Sequence, residues 1–163
     1  MRTTTFWDEE KKCYLNVCKG IVGGLTVAKL KEFRDNLSQN MKIMGSGRIE
    51  PEDLPVVPGT DKVIMINVKL PFPLTNRTMM NAMYFNDNED GSYWQCSSSR
   101  GNEALLEEHK SKIGNNVVAT NHIGYMSIKE TEAGGEFASV TMSDLNGSIP
   151  SVLKNQRSTR QAK

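Results

Sequence analysis

The sequence is poor in the residues that mark most chemistries. It has two histidines, His109 and His122, and neither has an Asp or Cys at metal-ligand spacing, so we expect no zinc site. It has three cysteines, Cys13, Cys18 and Cys96. An odd number with no CxxC spacing fits free thiols in a reducing compartment. No family signature of a Cys-His nucleophile surrounds any of them. Neither sign of charge dominates: 20 Lys and Arg face 19 Asp and Glu. That balance supplies no overall field for nucleic acid, and we expect no nucleic-acid partner. No stretch approaches the roughly 20 apolar residues of a membrane span. The opening MRTTTFWDEE carries charge where a signal peptide needs an apolar core, so we expect a cytoplasmic protein. Gly45-Ser46-Gly47 is not a phosphate loop, because it lacks a following Gly-Lys-Ser/Thr and leads toward acidic residues. There is no internal repeat and no low-complexity segment. No cofactor is expected.

What is present is a chain of 163 residues, the size of one domain over 1–163, with 37% hydrophobic residues. Residues 13–22 (CYLNVCKGIV) mix β-branched and aromatic residues and predict one or two short strands. Over 26–37, Val27, Leu30, Phe33 and Leu37 recur at helical spacing between charges, which predicts an amphipathic helix. Residues 38–44 suit a further turn of helix, ended by Gly45-Ser46-Gly47.

From there the period becomes two. Residues 62–70 (KVIMINVKL) put Ile64, Ile66 and Val68 on one face. Residues 78–85 form a second strand, on which Met79, Asn81, Met83 and Phe85 share a side. Asp90-Gly91 is a hairpin signal leading to a strand over 92–98. Residues 100–116 are polar and predict a long loop with a helical turn at 103–108. Strands over 117–129 and 136–143 follow. The last segment, 149–163, opens with Pro150 and suits a helix. Glu50, Glu52 and Asp53 read as a solvated loop. Strands joined mainly by hairpins make an antiparallel sheet whose apolar face needs cover. A curved sheet gripping one helix provides it and leaves room for a ligand.

Two stretches go beyond pattern. Residues 69–79 read KLPFPLTNRTM, and 144–155 read DLNGSIPSVLKN. The first resembles the proline-rich segment ending in Arg of START lipid-transfer domains. The second resembles that family's Asp-x-x-Gly-x-Ile-Pro entry into a C-terminal lid helix. The matching positions are Arg77, Asp144, Gly147 and Pro150. The resemblance implies an α+β helix-grip fold of the START and Bet v 1-like type, an internal tunnel for one lipid or sterol-like molecule, and transient contact with membrane surfaces. We expect no catalysis; the alternatives are an enzyme of the wider helix-grip superfamily, such as a cyclase or hydrolase, and a regulatory or scaffold domain with no ligand. The resemblance also implies an extra helix and strand at the front, for which this chain lacks room, and a longer lid than the eight residues after Asn155 allow.

The family often places a second Arg six residues after the motif Arg, paired with a buried acid. Here that position is Met83, and the acid falls near Ile64. Losing both together avoids an unpaired buried charge. A phosphate gripped in that way is therefore not expected, and Asn81 is the nearest polar handle. The expected lining is Ile64, Ile66, Val68, Met79, Asn81, Met83, Phe85, Trp94, Met126 and Met142. The methionines suit either an adaptable lining or plain core filling. Trp94 suits the lining or packing against a helix, and Arg77 suits a structural tie to a carboxylate or carbonyls, or else a ligand contact. Lys154, Arg157, Arg160 and Lys163 would form a basic stripe on a C-terminal helix. We expect a monomer.

Overall fold

The computed structural model describes residues 1–147. The elements are β1 (Arg2–Asp8), β2 (Cys13–Val22), α1 (Val27–Asp35), α2 (Leu37–Met44), β3 (Ile49–Leu54), β4 (Lys62–Val68), β5 (Arg77–Asp87), β6 (Tyr93–Ser98), α3 (Glu103–Glu108), α4 (Lys110–Ile113), β7 (Val117–Val118), β8 (Thr120–Thr131) and β9 (Gly134–Asp144). The strands form one open sheet in the order β1-β2-β9-β8-β6-β5-β4-β3. Neighbours are antiparallel, except that the short β7 pairs parallel with β5. The helix expected over 149–163, with Pro150 and its basic stripe, lies outside the described residues.

Local chemistry explains the helices. The Thr26 hydroxyl accepts from the Lys29 amide at 3.2 Å and caps α1. Asn36 ends that helix, its side-chain Nδ2 donating to the Glu32 carbonyl. The chain then restarts as α2, so the single predicted helix is a broken pair. Gly45 closes α2 where a Cβ would lie 2.5 Å from the Ile49 Cβ, so only glycine lets the chain turn so tightly into β3.

Two layers of helix cover the sheet at one end. On the inner face, α1 contributes Leu30 over Tyr93 and Ile128. On the same face, α2 contributes Leu37 over Ile64, Ile66 and Met83. On the outer face, α3 and α4 bring Leu105, Leu106 and Ile113 onto Val63, Met65 and Met80. Hence Val63, Ile64, Met65 and Ile66 are all buried, although they alternate between faces. The burial of the Ile64 and Met65 side chains, on the order of 2 kcal/mol each, anchors both helix layers.

Three sequence expectations are corrected. Residues 2–8 form a strand that their polar threonines did not signal. The acidic stretch at Glu50, Glu52 and Asp53 is the edge strand β3, not a loop. Its charges are tied down by Lys69, Lys112 and Lys62. Pro51 is tolerated there because β3 ends the sheet. The predicted strand over 117–129 is split, and it contains a β-bulge. Asn121 pairs with Ser143, but Ile123, not His122, pairs with Met142.

Candidate functional site

The strand register settles which side chains share the inner face. On β4, Ile64 lies opposite Asn81 and Ile66 opposite Met79. Continuing along β5, Met83 lies opposite Ser97 and Phe85 opposite Gln95 on β6. Gln95 in turn lies opposite Met126 on β8. Ile64, Ile66, Val68, Met79, Asn81, Met83, Phe85 and Met126 are therefore brought to one face. Met83 and Ile64 are diagonal neighbours in one packed cluster.

Two expected members are not there. Trp94 lies opposite Ser127, so it faces away from Met126. Of the consecutive pair Tyr93-Trp94, the tyrosine turns inward and is fully buried. Strand alternation allows only one of the two. Met142 shares its face with Val140 and Ile123, opposite to that of Thr141, and looks outward. The sequence missed Tyr93 and Gln95; anchoring the alternation of β6 on Trp94 instead of Tyr93 hid both.

The inner face is not uniformly apolar. The Tyr93 hydroxyl donates to Gln95 Oε1 at 3.2 Å, deep in the core. Burial pushes the Tyr93 hydroxyl pKa up, against the pull of Arg34, whose guanidinium lies over the ring. Asn121 Nδ2 donates to the Ser97 hydroxyl, and the Ser143 hydroxyl donates to Asn121 Oδ1. Further along, Ser139 and Thr141 of β9 share the face of Met126 and Gly124. Asn81 is 6% exposed, and its buried Oδ1 has no partner among the described residues.

Arg77 joins the two motif segments. It is 2% exposed. Its Nε donates to the Leu145 carbonyl at 2.7 Å and its Nη2 to the Asn146 carbonyl at 2.9 Å; Nη1 donates to the Thr75 carbonyl. Asp144 accepts from the Asn146 amide, which holds the turn. Gly147 has φ +67°, and a Cβ there would stand 3.3 Å from Arg77 Nη2. The three motif residues within 1–147 thus serve one knot between the start of β5 and the end of β9.

At the opposite corner of the inner face, Asp53 accepts from Ser38 of α2 at 2.8 Å and pairs with Lys62 at 3.0 Å. Burial pushes the Asp53 carboxyl pKa up, but Lys62 and Ser38 outweigh it and hold it below the usual carboxylate value. Burial pushes the thiol pKa of both Cys13 and Cys96 up, and nearby carboxylates add to it. A raised thiol is a poor nucleophile. Among the described residues, no group of three His, Cys, Asp or Glu side chains is placed to hold a metal ion. No helix among them is long and apolar enough to cross a membrane. On the outer face, Met80, Arg100, Glu103, Leu106 and Val118 edge a cleft of about 150 Å³. That is below the size of ordinary ligand pockets, about 300–1,000 Å³.

An open antiparallel sheet with a helix pair on one face defines a helix-grip protein. Solved structures that share this fold include START-related proteins. Over 95% of its length the chain superposes on human STARD10 with a TM-score of 0.70 and 15% identity. Human StAR-related lipid transfer protein 5 matches over 97% of this chain and 74% of its own, with a TM-score of 0.68 and 16% identity. A STAR-related lipid transfer protein fragment from Xanthomonas axonopodis matches over 94% of this chain and 88% of its own, at 0.56 and 18%. The chain spans 61% of the STARD10 structure. At such identities the likeness fixes the fold, and the fold is that of START domains. No family model and no curated protein matches the sequence.

Proposed function

We propose that the chain binds a lipid or other apolar molecule on the inner face of its sheet and carries or senses it, without catalysis. The observation that carries this reading is the asymmetry of that face. Helices α1 and α2 cover it over β4, β5 and β6, while the described residues leave it uncovered over β1, β2 and β9. Met126, on β8 between the two regions, and Met79 and Met83 on the covered side are side chains that repack at little cost around flexible guests. Two structural neighbours that are lipid transfer proteins agree with it.

Exchange with a membrane has its own support. Phe72, in the loop between β4 and β5, is 96% exposed, and Ile43 and Met44 at the end of α2 are 66% and 71% exposed. These belong to one end of the molecule, because Ile49 pairs with Val68 and the Lys69 amide donates to the Arg48 carbonyl. Lys42 adjoins Ile43 in the chain, and Arg48 and Lys69, the latter paired with Glu50, lie at the same end. Apolar tips among cations suit a membrane surface, at about 1 kcal/mol per charge near anionic lipid. Three free cysteines agree with a reducing, cytoplasmic setting.

Incubating the purified chain with a total lipid extract and recording native mass spectra tests the reading. One apolar molecule retained per chain is expected. A chain that emerges empty from every extract refutes it and leaves a ligand-free interaction module.

A further inference from the structure

We propose that the guest carries an uncharged hydroxyl or amide N–H at the end lying over β5, and that Asn81 Oδ1 accepts its hydrogen bond. The inference rests on the lipid-binding reading above and names the ligand class for that same face. Asn81 stands mid-strand on β5, directly opposite Ile64 and between Met79 and Met83 on its own face. Its Oδ1 is fully buried and has no partner among the described residues. Leaving such an acceptor unpaired is costly, and native interiors rarely do it.

Other buried side-chain amides show how unusual this is. Asn102 Nδ2 donates to the carbonyls of Met80 and Ser98. Asn121 is bonded through both amide atoms. Gln95 accepts from Tyr93. If Asn81 only filled the core, Leu would fit the same volume without the penalty. An unpaired acceptor aimed into a binding face is a request for a donor.

The charges nearby decide which donor. An anionic head needs a free cation. Arg77, on the same face of β5, has donated to three carbonyls. Lys62, opposite Met83, is paired with Asp53. A phosphate or carboxylate would also bring lone pairs against Oδ1. A neutral hydroxyl or amide, as in a fatty alcohol, a sterol-like ring alcohol, an acylglycerol or a fatty amide, satisfies Oδ1 without a counter-ion.

The test titrates the full chain with 1-hexadecanol, hexadecyl methyl ether and hexadecyl phosphate, read by native mass spectrometry. The three share a tail and differ in the head. The wild type should bind the alcohol about tenfold more tightly than the ether, which cannot donate, and more tightly than the phosphate. Asn81→Leu should abolish the preference for alcohol over ether while its ligand-free melting temperature holds or rises. Asn81→Thr, which keeps a hydroxyl acceptor, should retain part of it. Equal binding of alcohol and ether by the wild type overturns the inference alone and means that solvent serves Oδ1. So does a preference that survives in Asn81→Leu, or a phosphate that binds as well as the alcohol. Binding of none of the three overturns the lipid reading together with the inference.

Discussion

The two halves of the sheet are built differently. In the half formed by β3, β4 and β5, both faces lie under helices, and four consecutive residues, Val63 to Ile66, are buried. In the half formed by β1, β2 and β9, most positions are partly or fully exposed, and β1 is exposed along nearly its whole length. The inner-face residues change with it. Ile64, Ile66 and Met83 give way to Asn16, Cys18, Ser139 and Thr141, which share one face through the β2–β9 register. The first half has the composition of a closed core. The second is a wall of small, half-exposed side chains.

That contrast can be broken at four points. The largest effect should come from charging the closed half. Met83→Arg alone buries an unpaired cation and should cost about 3–5 kcal/mol in urea unfolding. Adding Ile64→Asp as its diagonal partner should recover part of that loss. A double variant no better than the sum of the singles would show that the two positions do not communicate. Next, Arg77→Ala strands three carbonyls and should cost about 3 kcal/mol. If it unfolds like the wild type, the knot between β5 and the end of β9 carries no weight. In the open half the same kind of damage should be mild. Trp7→Ala removes an edge-on ring pair with Tyr14, at 4.8 Å between centroids, and should cost about 1 kcal/mol. A loss as large as that of Arg77→Ala would erase the distinction between the halves.

The smallest effect concerns pH. Asp53 titrates lower in the folded chain than in the unfolded one. Its contribution is therefore complete above the unfolded value, near 4, and disappears as pH falls through the folded value. Asp53→Asn should lower stability slightly at neutral pH and flatten the decline below pH 4. An unchanged acid limb would mean that Lys62 and Ser38 do not hold the carboxylate as described.

Much of the closed half was legible in the sequence. The alternation over 62–70 and 78–85 placed Ile64, Met83 and Phe85 on a common face, and the Asp90-Gly91 turn fixed the hairpin after them. Both signals are local and need no knowledge of the partner strand. The break at Asn36 was not legible, because Leu37 continues the apolar spacing of α1. Nor was β1 legible, since RTTTFWD shows no buried alternation; it is a strand because β2 pairs with it along seven residues. Residue type left Trp94 open between the lining and packing against a helix, and the choice between Tyr93 and Trp94 is made by register with β8. The orphaned oxygen of Asn81 depends on what fails to surround it, which no sequence pattern records.

The extra residue in β8 has a reach beyond its own pairing. Because Ile123 takes the place opposite Met142, Asn121 and Gly124 can both look inward although three positions separate them. His122 is thus the one extra residue that the bulge absorbs, so that two stretches of one strand stay in phase. Deleting His122 would leave a regular ladder with Asn121 and Gly124 still on one face; closing the bulge while keeping His122 would force a choice between Asn121 and the run from Gly124 to Ile128. One of them would turn over, taking with it either the amide bonded to Ser97 and Ser143 or the isoleucine that seats α1.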